Sequence, residues 1–475
     1  MKRFWLIMMV LVFGFAVAAC GGDSGTSAPT TAGGGSSSGG ATSTCSLRNR
    51  QDFAFATLNE WYLFPETLPA ALDPTPFATV DAYIDALTAT ARGLGKDRYF
   101  TFITSIADEN AFFGSGSSAG FGVRLTSDAT AKRVLIAEAF EGAPALAAGV
   151  DRGDEITAIG TTPSTMRLVS DIIAAEGTAG VSNAIGPTTA GTTRTLRVVN
   201  AAGTRDVTVT KTDYTLTPVS SRYGSKIITD GTRRIGYFNL RTFISTANPA
   251  LRTAFDQFRV QGITEFVIDF RYNGGGLVST AELLGDLLGG NRSTADIFSK
   301  TTFRPSKSVE NSQHAFAVQP QSVSPVRIAF IGTGGTASAS ELVINAFIPY
   351  LGNQMSLVGT NTYGKPVGQI AIDKAACDDR IRVIAFALQN AAGNAAYFSG
   401  LASSVANTCQ AADDISHPLG DPMESSTKSA LDFLAGRACA PIASSGQTSQ
   451  SLRGTRELLM PAVPTVGQRE VPGMF

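Results

Sequence analysis

Histidine is nearly absent from this 475-residue chain, which has only His314 and His417. A Ser-His-Asp triad needs an imidazole within reach of the serine hydroxyl. His417 precedes Pro418 in a polar stretch and His314 follows Asn311-Ser312-Gln313, so both read as surface residues. Cysteine is also scarce: of the five, none has the close paired spacing of a zinc site, and with two histidines no zinc centre is expected. No metal or organic cofactor is implied. Charge is thin as well, at 16% of residues with a formal net charge of -1, and no lysine and arginine block stands out. That leaves no basic field for a nucleic-acid partner. Apolar residues, by contrast, make up 43% of the chain, which sets it apart from a disordered protein. At roughly 100 to 200 residues per domain, the length suggests two to four domains.

The first twenty residues have the build of an export signal. Lys2 and Arg3 precede an apolar run from Phe4 to Ala19, and small residues lead into Cys20. Val17-Ala18-Ala19-Cys20 resembles the lipobox of bacterial lipoproteins, which implies acylation of Cys20 and anchoring through lipid. An ordinary cleaved signal or a short transmembrane anchor is the alternative. Gly21, with no aspartate beside the cysteine, resembles lipoproteins sent to an outer membrane, given a Gram-negative host. Cys45, Cys377, Cys409 and Cys439 then remain for up to two disulfides in an oxidising compartment, with connectivity open.

Residues 21–44 are almost entirely Gly, Ser, Thr and Ala, a flexible tether. Phe53, Leu58, Trp61, Tyr62 and Leu63, then Val80, Tyr83, Ile84 and Leu87, recur at helical intervals and predict a small helical domain over 45–115. The period shortens over 119–212. Strands are predicted at 120–125, 133–136 and 154–156, a short helix over 143–149 opened by Pro144 and closed by Gly149, and a hairpin from 193–199 and 204–210. The order resembles a PDZ domain in its permuted form, with Gly120-Phe121-Gly122 at the carboxylate-binding loop. Glycines let successive N–H groups converge on an anion, and an open strand edge pairs with an extended peptide. Over 213–437 strands and helices alternate, with strands at 234–240, 265–271 and 326–331 and helices at 248–260, 280–288 and 340–350, an α/β core. A closing helix is predicted at 425–434. The polar, proline-bearing stretch from Pro441 to Phe475 reads as a loosely ordered tail.

The chemistry concentrates in that α/β core. The strand Arg327-Ile328-Ala329-Phe330-Ile331 runs into a turn of small residues ending in Ala337-Ser338-Ala339-Ser340-Glu341, followed by an apolar helix. Such a turn presents a side chain at the carboxyl end of a sheet, beside the N–H groups of a helix start. Helix capping is the other use of a serine there. Downstream, Lys365 lies in Thr362-Tyr363-Gly364-Lys365-Pro366-Val367-Gly368-Gln369, after the strand Ser356-Leu357-Val358-Gly359. A lysine with an ordinary pKa of about 10.4 serves as a base at neutral pH only where burial disfavours its charge.

Ala337-Ser338-Ala339-Ser340-Glu341, then Gly364-Lys365, then Gln369, resembles the active-site signature of the carboxyl-terminal processing peptidases, a PDZ-containing serine peptidase family. The resemblance covers 45–437 and implies Ser338 as nucleophile, Lys365 as general base and Gln369 as its orienting partner. Glu341 matches too, in a catalytic or structural role. It also implies that the glycine turn in Asp269-Phe270-Arg271-Tyr272-Asn273-Gly274-Gly275-Gly276 helps form the oxyanion hole, with Gly275 or Gly276 and Ala339 as N–H donors. One departure is Pro366, where the family commonly has glycine.

The fold expected is multidomain α/β: a signal peptide over 1–20, the linker over 21–44, a helical N-terminal domain over 45–115, a PDZ-like β domain over 119–212, a ClpP/crotonase-like α/β peptidase core over 213–437 and a tail over 438–475. The function expected is an envelope endopeptidase cleaving protein or peptide substrates recognised through their C-termini, held to the membrane by lipid. The rivals are an inactive PDZ scaffold on the same fold and a crotonase-like acyl-transfer enzyme.

Overall fold

Apolar runs organise the centre of the molecule. The computed structural model describes residues 44–443 and 456–475; the signal segment, Cys20 and nearly all of the linker lie outside the described residues. A six-stranded sheet is built from Ser225–Asp230, Arg233–Asn239, Glu265–Asp269, Arg327–Gly332, Met355–Gly359 and Thr408–Gln410, in that spatial order. All neighbours are parallel except the first pair. Parallel strands need cover on both faces. Helices Ala247–Val260, Val278–Leu288 and Ala339–Leu351 supply one layer, sharing a core that includes Phe255, Phe258, Leu284, Leu342 and Phe347. Ser425–Leu434 covers the other face, with Leu431 and Phe433 against Val267, Ala329 and Val358. Register matters for function, because Asp269 stands beside Ile331 and Gly332 beside Gly359. The loops leaving these three adjacent strands therefore meet at one carboxyl edge.

A second sheet extends the core. Asp379–Gln389 pairs with Phe102–Ser105, Ile297–Phe303 and Val367–Lys374, all antiparallel. Helices Leu47–Trp61 and Val80–Leu87 pack on it, so that Leu58, Tyr62, Tyr83 and Ile84 share one cluster with Val367, Ile381, Val383 and Ile384. The predicted helical domain is thus helical but has no core of its own. Its apolar faces are too few to bury one another and use the 367–389 hairpin instead. A Cys45–Cys377 disulfide closes the same contact, and Cys409–Cys439 forms the second pair.

Residues 123–210 fold as an antiparallel sheet of Val123–Asp128, Arg133–Ala139, Glu155–Gly160, Thr193–Asn200 and Gly203–Thr210. The helix Val169–Ile185 lies over it and buries Val169, Ile172, Val181 and Ile185. This module is bonded to the core by a buried carboxylate. Glu138 accepts from Arg124 at 2.6 Å and from Arg241 at 2.7 Å, with all three side chains at most 1% exposed.

The predicted loose tail is corrected where the structure describes it. Arg456–Leu458 pairs antiparallel with Thr126–Asp128, Val466–Glu470 is a short helix, and Val471, Met474 and Phe475 are at most 3% exposed. Among the described residues no helix is long and apolar enough to cross a membrane.

Candidate active site

Ser338 ends the small-residue turn after Arg327–Gly332 and begins the buried helix Ala339–Leu351. Its backbone sits at φ 54° and ψ -116°, a conformation costly for a residue with a side chain. Three bonds hold the turn there. Thr336 donates its hydroxyl to Phe270 O at 2.8 Å, Ala337 N–H donates to Asn273 O at 3.0 Å, and Ser340 donates its hydroxyl to the same oxygen at 3.1 Å. The serine turn is therefore fastened to the loop after the Glu265–Asp269 strand.

That loop supplies the space beside the serine. Gly275 has φ +124°, and a methyl group placed on it would stand 2.7 Å from Ser338 Cβ and 3.2 Å from both Ser338 Oγ and the Ala339 nitrogen. Only a glycine fits here, because a Cβ would press on the serine side chain and on the N–H at the first position of a helix, which has no intrahelical acceptor. A reacting carbonyl oxygen needs N–H donors of that kind near the attacking atom. Of the two glycines expected as donors, Gly275 gives its N–H to Asn273 Oδ1 at 3.0 Å. Gly276 packs closely on its Cα side, where a Cβ would meet Phe243 O at 2.2 Å, a contact that does not involve its N–H. The glycine whose N–H meets a peptide carbonyl is Gly274, donating to Glu470 O of the tail at 3.0 Å.

Lys365 follows the Met355–Gly359 strand. Its Nζ donates to Gln369 Oε1 at 2.8 Å, and Gln369 in turn donates to Phe100 O. A bulge between Gly368 and Gln369 sets the direction of the glutamine. Burial lowers the Lys365 pKa, and Arg469 and Arg382 act in the same direction against Glu470. Pro366 costs the sheet nothing, since the ladder with Asp379–Gln389 starts at Val367 and Pro366 contributes a carbonyl to Leu388 N–H.

Glu341 joins the two halves. Its fully buried carboxylate accepts from Ser338 N at 3.1 Å, from Gly364 N at 2.7 Å and from Lys365 N at 2.7 Å. Burial pushes its pKa up against these bonds. The question left open by the sequence is answered at the level of geometry: Glu341 clamps the backbone of the serine turn to the backbone of the lysine loop. Neither histidine takes part, since His314 bonds Asp286 and His417 bonds Asp414.

The arrangement offers a serine on a strained backbone, a helix-start N–H beside it and a desolvated amine, with neither histidine nearby. Residues 234–401, which include Ser338 and Lys365, match the model of peptidase family S41. The chain carries a peptidase family S41 domain. Over 275 residues it is 28% identical to a chloroplastic C-terminal processing peptidase of Tetradesmus obliquus, covering 54% of each chain. It is 26% identical over 326 residues to the chloroplastic carboxyl-terminal-processing peptidase 3 of Arabidopsis thaliana, covering 66% of this chain and 59% of the relative. The match thus spans little more than half the length of these relatives. A solved structure assigned as an S41 protease of Bacteroides fragilis shares the fold, at a TM-score of 0.62 and 22% identity, covering 81% of this chain and 97% of that one.

The S41 domain brings Ser338, Gly275 and Ala339 together and holds Lys365 through Gln369 and Glu341. Gly120, Phe121 and Gly122 lie elsewhere, at the start of the Val123–Asp128 strand. There Gly122 N and Val123 N donate to Phe475 O at 2.9 and 3.1 Å, and Phe121 packs in the same cluster as Phe475.

Proposed function

We propose that this chain is a serine endopeptidase in which Ser338 is the nucleophile and Lys365 the general base. The observation that carries the reading is the Glu341 carboxylate, which ties the strained Ser338 backbone to the backbone of the half-buried Lys365, with Gly275 packed directly against the serine. Ser338 Oγ attacks the scissile carbonyl carbon while its proton passes to Lys365 Nζ. The oxyanion forms beside the Ala339 N–H, and collapse expels the amine, which takes the proton from Lys365. Water then attacks the acyl carbon, giving its proton to Lys365, which passes it to Ser338 Oγ as the Oγ–C bond breaks and the acid product leaves. The neutral amine is the working form. Activity therefore falls as pH drops through the Lys365 pKa, which burial has moved below its ordinary value.

The substrates proposed are loosely folded proteins with an extended C-terminal segment, captured on the Val123–Asp128 edge beside Gly120-Phe121-Gly122. The location proposed is the cell envelope, with Cys20 acylated; absence of lipid on Cys20 by mass spectrometry of the mature protein would refute the anchor. The deciding assay is cleavage of a loosely folded protein by the parent, Ser338→Ala and Lys365→Ala chains. Each variant is expected to lose on the order of 10⁴-fold or more in kcat with an unchanged melting temperature. A Ser338→Ala chain that still cuts at the parent rate sinks the assignment.

A further inference from the structure

One segment of the chain occupies both the peptide groove and the approach to the catalytic serine. Gly473–Phe475 lies antiparallel along Val123–Leu125. Leu125 N–H donates to Gly473 O at 2.8 Å, Phe475 N–H donates to Val123 O at 2.9 Å, and Gly122 and Val123 donate to Phe475 O. The Phe475 ring is 2% exposed among Phe121, Ile172 and Ile173. This is strand addition at a sheet edge with a side-chain pocket, the geometry by which a domain captures an extended peptide.

The same segment then crosses to the glycine loop that packs beside Ser338. Arg124 donates to Pro472 O at 3.1 Å, and Val471 and Met474 pack with Phe112, Phe140, Tyr214 and Ile244. Glu470 O takes the Gly274 N–H, and a methyl group on Gly274 would meet Arg469 O at 2.4 Å, leaving no room for a second chain. Arg469 Nη1 donates to Tyr99 O at 3.0 Å and its guanidinium stacks on Phe102. The Glu470 carboxylate acts on Lys365 but has a buried oxygen without a hydrogen-bond partner. That is a poor resting place for a permanent structural element. The backbone at 466–470 is helical, so it covers the site without offering the extended peptide that an attacking hydroxyl needs.

We infer that residues 466–475 are an intramolecular ligand of the groove, and that its exchange partners are peptide segments carrying a bulky aromatic side chain at the Phe475 position. The tethered segment competes at an effective concentration of roughly millimolar, so a free peptide of equal affinity enters slowly until the tail is unseated. The groove assignment stands without catalysis; the inhibitory consequence rests on the peptidase reading.

The test uses the full chain with Ser338→Ala to remove turnover, and a fluorescent synthetic peptide of residues 466–475 followed by anisotropy. Two substitutions unseat the tail at different atoms. Phe475→Asp withdraws the ring, and Gly473→Val places a Cβ 2.8 Å from Leu125 O at φ +84°. Each is expected to tighten peptide binding at least about tenfold, the margin that displacing a tethered competitor implies, while a peptide with aspartate at its last position does not bind. In the Ser338 background the same substitutions are expected to raise the cleavage rate. Folded variants with unchanged peptide affinity overturn the proposal. So does unfolding of both variants, which would make the tail a core element. Gained binding with no cleavage in any chain upholds the ligand assignment and refutes the peptidase reading alone.

Discussion

The six-stranded sheet and the antiparallel sheet of 123–210 complete themselves in opposite ways. The six-stranded sheet is covered by helices close to it in sequence, and its catalytic loops leave neighbouring strands. The antiparallel sheet instead leaves Val123–Asp128 at an edge, and the strand that closes it comes from Arg456–Leu458 and Gly473–Phe475, more than 300 residues away. An edge strand is a template awaiting a partner. The serine turn is thus held mainly by loops of its own sheet and touched by the tail at the Gly274 loop and Lys365, while the Val123–Asp128 edge is closed by the tail itself.

The largest effect on stability that sharpens this contrast lies beneath the glycine turn. Arg271 is fully buried between Asp269 at 3.0 Å and Glu424 at 2.8 Å, and Glu424 also caps the Ser425–Leu434 helix. Burial raises the Glu424 pKa, but Arg271 and the helix N–H groups outweigh it and bring it to about 2. Glu424→Gln should cost about 1.5–3 kcal/mol in a urea melt, the worth of hydrogen bonds to a charged group, since Asp269 still faces Arg271. Because the folded pKa lies below the unfolded one, this stabilisation is present in full above about pH 5 and drains as pH falls toward 2. The gap between parent and variant should close over that window. A gap that persists at low pH argues against the pairing.

Gly275→Ala forces a Cβ to within 2.7 Å of Ser338 Cβ and displaces the serine side chain. The expected loss is about 10²- to 10³-fold in kcat, the cost of a spoiled oxyanion site. Peptide affinity of the groove should not change. If affinity falls with kcat, the two regions are not independent and the contrast fails.

The smallest effect belongs to the edge. Thr126 donates its hydroxyl to Glu457 O at 3.0 Å, and Leu459 N–H donates to Leu125 O at 3.0 Å. Thr126→Val should cost about 0.5–1.5 kcal/mol, one hydrogen bond. Faster amide hydrogen exchange is expected at Leu459 and not in the Arg327–Gly332 strand. Equal acceleration in both would mean that the tail unfolds only with the core.

Much of the catalytic neighbourhood was legible in the sequence because it is built from local signals. The apolar strand before Ser338, the small-residue turn and the buried helix lie within about 25 consecutive residues, and the lysine segment follows the next strand of the same sheet. What stayed hidden is where single backbone groups point. The Gly275 N–H turns inward to Asn273 Oδ1 because the loop bends at Tyr272, a non-glycine residue at φ 66°, and composition carries no record of that bend. The tail was misread for a different reason. Its prolines and polar residues dominate any window average, yet Val466, Val471, Met474 and Phe475 each find a pocket supplied by distant elements. The disulfide pairing was closed to sequence reading as well, since it depends on how Leu47–Trp61 seats against the 367–389 hairpin.

The Cys45–Cys377 bond, with a sequence separation of 332, also gives the chain a covalent topology. It closes a ring that contains the peptide groove, Gly275, Ser338 and Lys365, and Cys409–Cys439 closes a separate small loop after it. Residues 456–475 hang outside both. A single cut within the large ring leaves the two pieces joined around the cleft. A single cut after Cys439 leaves the tail held only by hydrogen bonds and packing, free to depart as a short peptide while the ring keeps every group of the site.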